Sequence, residues 1–321
     1  MSSTATSIVT GDPGTEQEAV GRRVVRPALG DLGLAPGKRA RLHRILFAHG
    51  LGNGTAMFLP YDQGLEHGPR DFFANPAASD PRYVVELARE GGFNGIVVQV
   101  GLAEKFFWEF AGEVPLVLKL NGKTDIPSDA EALSPLTATV EDAVRLGADA
   151  VGYTLYVGTP AQAEDFEQLR RVRSDATRWG MPLIVWAYPR GEAIEAKGGK
   201  DSFYAVDYAA RTASELGADV VKLNFPHPEK TTGVKDPYGE AYSTQQAIDH
   251  VVRSANRSLV LISGGSRAGD DAMLDKARRS MDAGATGLIF GRNVWQRPHE
   301  ESLRFVASLR SVLERHPSRP S

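Results

Sequence analysis

Cysteine is missing altogether from these 321 residues. That absence excludes disulfides, thiolate nucleophiles and cysteine-based zinc sites together. No apolar run approaches the ~18 residues that would span a bilayer. Nor is there a basic block: 37 Lys and Arg stand against 40 Asp and Glu, for a net charge of −3, so neither nucleic acid nor a membrane is an expected partner. The stretch Met1 to Thr15 is rich in Ser, Thr and Gly and lacks the basic-then-apolar order of a secretory leader, so a cytoplasmic protein is expected. What the chain does have is 42% hydrophobic residues, enough for one large core. Its length suits a single α/β barrel, usually about 250 residues, better than two small domains.

Short β-branched runs recur along the chain at Met57–Tyr61, Gly95–Val100, Leu116–Leu120, Ala150–Leu155, Leu183–Tyr188, Val220–Leu223, Leu259–Ile262 and Gly287–Phe290. Amphipathic stretches separate several of them, at Pro81–Glu90, Val140–Leu146, Ala161–Trp179, Ser202–Leu216 and Asp270–Ala283. Turns such as Leu146-Gly147-Ala148-Asp149 and Leu216-Gly217-Ala218-Asp219 close a helix with glycine and lead into a strand. Eight strands alternating with helices, at a mean spacing of roughly 33 residues, predict a (β/α)8 TIM barrel. A doubly wound sheet is disfavoured, because no Gly-x-Gly-x-x-Gly follows the first strand and polar residues end nearly every strand. Residues 1–35 are expected to be a flexible N-terminal extension, 36–315 the catalytic barrel and 316–321 a tail. Lys38 to Ala48 has helical periodicity, with Leu42, Ile45 and Leu46 on one side.

Two strands carry a lysine inside an apolar run. Lys222 sits in Val220-Val221-Lys222-Leu223, and Lys119 in Leu116-Val117-Leu118-Lys119-Leu120. A lysine at a strand end ordinarily snorkels to water. Two at corresponding positions suggest a cationic site at the barrel mouth, with one amine reactive. Asp62 directly follows the first strand, where an inward-facing group lies. Glu66 and His67 hint at a metal, but adjacent residues do not readily both face inward and no second His/Asp cluster has ligand spacing, so neither metal nor cofactor is expected. Trp186 and Tyr188 share a face of strand 5; Trp186 has the ordinary character of a core residue, while Tyr188 ends the strand and reaches the mouth. The turns Ser263-Gly264-Gly265 and Gly291-Arg292 follow strands 7 and 8, the recurrent phosphate position in barrels.

With these residues assembled, the chain resembles the class I fructose-bisphosphate aldolases of the archaeal/bacterial type, a Schiff-base family that includes related heptulosonate synthases. The stretches that carry the resemblance are Asp62–Pro69, Leu118–Thr124, Trp186–Gly191, Val221-Lys222, Ser263–Gly265 and Gly291–Arg297, in the family's order. The resemblance implies Lys222 as the Schiff-base lysine, Tyr188 as the proton donor and Asp62 near the substrate hydroxyls, with Lys119 as a further catalytic candidate. It implies phosphate binding by Ser263, Gly264, Gly265, Gly291 and Arg292, with Trp186 carried as a substrate-binding candidate. It further implies a phosphorylated sugar as partner, no cofactor and a homo-oligomer. Burial and a nearby Lys119 charge would both lower the Lys222 pKa. Asp62 and Tyr188 are both open as the base for the C4 hydroxyl, and Lys123, Arg190, Lys230 and Lys235 are all candidates for a second phosphate. Alternatives on the same scaffold are a heptulosonate-type or thiolase-like lyase or transferase and a non-catalytic phosphate-binding barrel.

Overall fold

Each of the eight apolar runs becomes a strand in the computed structural model, which describes residues 27–228, 237–238, 242–265 and 268–318. The strands are β1 (Ala56–Pro60), β2 (Gly95–Gln99), β3 (Leu116–Lys119), β4 (Ala150–Val157), β5 (Leu183–Pro189), β6 (Val220–Leu223), β7 (Leu259–Ser263) and β8 (Gly287–Ile289). All pair in parallel with their sequence neighbours, and β8 returns to β1 to close the barrel. Strands β4 and β5 outrun their expected ends because their ladder continues through Tyr156↔Tyr188 and Val157↔Pro189.

The helices are α1 (Pro36–His43), α2 (Gln63–Glu66), α3 (Pro81–Glu90), α4 (Val100–Phe106), α5 (Val140–Arg145), α6 (Gln162–Arg178), α7 (Glu192–Glu195), α8 (Phe203–Glu215), α9 (Thr244–Ser254), α10 (Asp270–Asp282), α11 (Arg292–Trp295) and α12 (His299–Glu314). The five expected amphipathic stretches coincide with α3, α5, α6, α8 and α10 to within two residues at each end. Side-chain alternation divides the apolar residues into two layers. Leu116, Leu118, Val221 and Leu223 pack outward against the helices, while Val117, Ile184, Val220 and Leu261 fill the barrel interior.

The segment expected as a helix over Lys38 to Ala48 is α1 continued by one π-helical turn, Arg44–Ala48. It has a specific task. Leu42, Ile45 and Leu46 belong to the interior apolar layer, so this segment plugs the floor of the barrel. Two Gly-Ala-Asp turns hold it there: Lys38 Nζ lies 2.7 Å from Asp219 Oδ2, and Arg44 pairs with Asp149. Both carboxylates sit one residue before a strand, which places them on the floor. Most of the expected extension, most of loop 228–242 with Lys230 and Lys235, and residues 319–321 of the tail lie outside the described residues.

Candidate active site

Inward parity sets the site. Lys119 follows Val117 by two residues, Lys222 follows Val220, and Tyr188 follows Trp186 and Ile184, so all point into the barrel above its apolar filling. There the strand ends open into a cavity of about 740 Å³, walled by Asp62, Glu66, Tyr188, Lys222, Ser263 and Arg292 among others.

Lys222 is 6% exposed, and its amine is hydrogen-bonded to the Tyr188 hydroxyl. Burial lowers its pKa to about 8, against the opposing pull of Asp62 and Glu66, with Lys119 and Arg292 assisting the fall. The neutral amine is therefore a minority species at neutral pH that grows to about half near pH 8. Tyr188 moves the other way. Burial, then the charges of Glu66 and Asp62, push its phenol well above the ordinary value, so it stays protonated beside the amine.

Lys119 is wholly buried, with Nζ 3.0 Å from Asp62 Oδ2 and 2.9 Å from Glu66 Oε1. Burial alone would lower its pKa, but Glu66 and Asp62 overcome that and raise it, so the lysine stays charged. Burial likewise works against the Asp62 carboxylate, and Lys119 and Lys222 prevail to keep its pKa low. The cationic site expected here also holds two carboxylates, while the Lys119 charge lowers the Lys222 pKa in the expected direction. Lys119 is matched by two carboxylates, and its influence on Lys222 ranks behind burial.

Trp186 corrects an expectation. It has no exposed surface and does not line the cavity, so it is not positioned to touch a ligand. Its ring instead lies beneath both ammonium groups, 4.8 Å from Lys119 Nζ and 5.3 Å from Lys222 Nζ. Gly152 on β4 makes the room. A Cβ there would come within 2.7 Å of the Trp186 ring and 3.1 Å of the Lys119 stem.

Ser263, Gly264, Gly265, Gly291 and Arg292 all line the same cavity. Within that group Gly264 is a poor donor, because its N–H already donates to Ile289 O at 3.3 Å. Arg292 begins α11, with Nη1 3.7 Å from Asp71 Oδ2. Lys123 and Arg190 stand together on another part of the wall, each 2.9 Å from an oxygen of Asp129. Glu66 and His67 part company: Glu66 turns to Lys119, while His67 Nδ1 meets Asp71 Oδ2 at 2.9 Å.

Two groups went unassigned in the sequence reading. Glu66 completes the clasp on Lys119, and its position four residues after Asp62, on one helical turn, is the signal that could have found it. Asn224, two residues beyond Lys222 on the inward parity, lines the cavity with its Nδ2 donating to Asp201 Oδ1 at 2.8 Å.

Comparison with known proteins agrees in extent with this geometry. The DeoC/LacD family aldolase model matches residues 56–297. A fructose-bisphosphate aldolase class 1 of Thermoproteus tenax is 40% identical over 261 residues, covering 81% of this chain and 90% of that protein. Its Halobacterium salinarum counterpart is 36% identical over 261 residues, covering 81% and 91%. A solved archaeal fructose-1,6-bisphosphate aldolase, with its catalytic lysine covalently bound to the carbinolamine intermediate of the substrate, superposes with a TM-score of 0.72. That structure shares 38% identity and covers 84% of this chain and 98% of its own.

Proposed function

The chain belongs to the DeoC/LacD aldolase family, and on that premise we propose that it is a class I fructose-bisphosphate aldolase working through a Schiff base on Lys222. The observation that carries the reading is the buried Lys222 amine, with its pKa brought down to about 8, against a phenol held protonated. The neutral amine attacks C2 of fructose 1,6-bisphosphate, and the carbinolamine loses water to give an iminium ion. The iminium draws electrons from the C3–C4 bond as the C4 hydroxyl surrenders its proton. Glyceraldehyde 3-phosphate leaves, and an enamine remains on the lysine. Tyr188, protonated at rest, donates to C3. That leaves the ionised Asp62, held by Lys119, to accept the C4 hydroxyl proton. Water then hydrolyses the second iminium, releasing dihydroxyacetone phosphate and the free amine; the sequence runs equally in reverse.

Arg292, Ser263, Gly265 and Gly291 are suited to one phosphate, and Lys123 with Arg190 to the other; grip on these unreacting ends supplies positioning energy. The catalytic unit in this reading is the barrel of residues 36–315. We place the enzyme in the cytoplasm, among its sugar phosphates, as a homo-oligomer.

The test is borohydride reduction in the presence of dihydroxyacetone phosphate, followed by peptide mapping. The adduct is expected on Lys222 and should vanish in Lys222→Arg, which keeps the charge but has no nucleophilic amine. An adduct on another lysine, or activity lost to EDTA and restored by zinc, would overturn the mechanism.

A further inference from the structure

Helix α10 sends the Lys276 side chain to the loop after β7. Lys276 Nζ donates to Gly264 O at 3.0 Å, lies 5.3 Å from the centre of the Phe225 ring and forms part of the cavity wall. Gly264 is thus held on both sides, its N–H by Ile289 O and its carbonyl by Lys276. Gly265 follows with φ +73°, in the left-handed region, and its own carbonyl accepts from Asn293 Nδ2 at 3.3 Å. Among the described residues no acceptor takes the Gly265 N–H.

We infer that Lys276 is a positioning residue for phosphate recognition: by pinning the Gly264 carbonyl it turns the Gly265 N–H toward the phosphate held beside Gly291 and Arg292. The inference rests on the aldolase reading for the identity of that phosphate. The peptide joining Gly264 and Gly265 is trans, so its C=O and N–H point in opposite directions, and fixing one fixes the other. Glycine on both sides removes the steric bar to a flipped peptide. The flipped form would present a carbonyl oxygen to an anion where the pinned form presents a donor. Lys276 therefore selects the anion-binding state, and its own charge favours the same ligand.

The experiment compares wild type, Lys276→Met and Lys276→Arg. Calorimetric titration with inorganic phosphate measures anion affinity without turnover. Steady-state kinetics with fructose 1,6-bisphosphate separate KM from kcat, and borohydride trapping with non-phosphorylated dihydroxyacetone reports on Lys222 alone. Lys276→Met keeps the stem over Phe225 and is expected to weaken phosphate binding and raise KM about tenfold or more, the scale of a charge-assisted contact. Its kcat and its dihydroxyacetone trapping should change little, and Lys276→Arg should recover most of the loss. Unchanged phosphate affinity in Lys276→Met would overturn the inference, as would a parallel loss of dihydroxyacetone trapping, which would mean that the substitution only loosened the wall. A wild type that binds phosphate but traps no carbonyl compound would sink the aldolase reading while leaving the phosphate result to stand.

Discussion

Lys119 and Lys222 take the same inward parity over one aromatic ring and end in opposite states. Both are buried, both take the inward parity of their strands, and both ammonium groups lie about 5 Å from the Trp186 ring. Burial pushes both toward the neutral amine. Around Lys119 two carboxylates within 3.0 Å reverse that push. Lys222 has a neutral phenol as its hydrogen-bond partner, and the same two carboxylates act on it without prevailing, so burial wins. A buried lysine is therefore no sign of a reactive one. What decides is whether a counter-charge has followed it into the interior.

The sharpest way to break the comparison is to remove the phenol that distinguishes Lys222. Tyr188→Phe keeps the ring and deletes the hydroxyl. General acid groups contribute typically 10²–10⁴-fold, and turnover should fall by about that much. Borohydride trapping on Lys222 should survive, while exchange of the C3 proton of dihydroxyacetone phosphate into deuterated water should be lost. Unchanged exchange would reduce Tyr188 to packing.

Removing the other lysine tests the reverse case. Lys119→Met leaves Asp62 and Glu66 without their shared cation. Stranding a buried charge costs roughly 3–5 kcal/mol, to be read from urea denaturation. The two carboxylates would then act on Lys222 unopposed, raising its pKa and moving the onset of trapping to higher pH. The stability difference has its own pH signature. The folded-state pKa of Lys119 is raised, so its stabilisation is fully present below the unfolded value of about 10.4 and is lost as pH climbs beyond it. The gap between wild type and variant should narrow there. A gap that widened would mean that Lys119 is neutral in the folded protein.

This contrast also marks the limit of what the linear chain discloses. The eight strands, their order and five of the amphipathic helices were legible because burial on both faces leaves continuous β-branched runs and glycine-closed turns between them. Lys119 and Lys222 were legible as anomalies within those runs. Their different fates were not, because they depend on Glu66 of α2 and Arg292 of α11 meeting β3 and β6 across long stretches of sequence. The placement of Trp186 under the two amines depends on a glycine in β4 that no local pattern connects to β3 or β5. Likewise, Asp149 and Asp219 read as turn residues until the floor plug brings Arg44 and Lys38 to them.

The gentlest substitution isolates what the two lysines share. Trp186 is wholly buried, and its indole N–H has no hydrogen-bond partner among the described residues. Trp186→Phe removes that orphan donor, relieving a penalty of about 1–3 kcal/mol. It also leaves a void where the second ring stood, at about 24 cal/mol per Å³ of cavity. The two effects oppose, and global stability should move by no more than about 1–2 kcal/mol in either direction. Both ammonium groups would lose part of the same cation–π attraction, worth about 0.5–2 kcal/mol against tryptophan and less against phenylalanine. Lys119, clasped by its carboxylates, should stay charged. Lys222 lacks that clasp, so its pKa should slip below about 8 by less than one unit. The pH profile of borohydride trapping reads this directly, with an onset displaced slightly toward acid. A displacement well beyond one unit would show that the aromatic ring, and not the distribution of carboxylates, sets the two lysines apart.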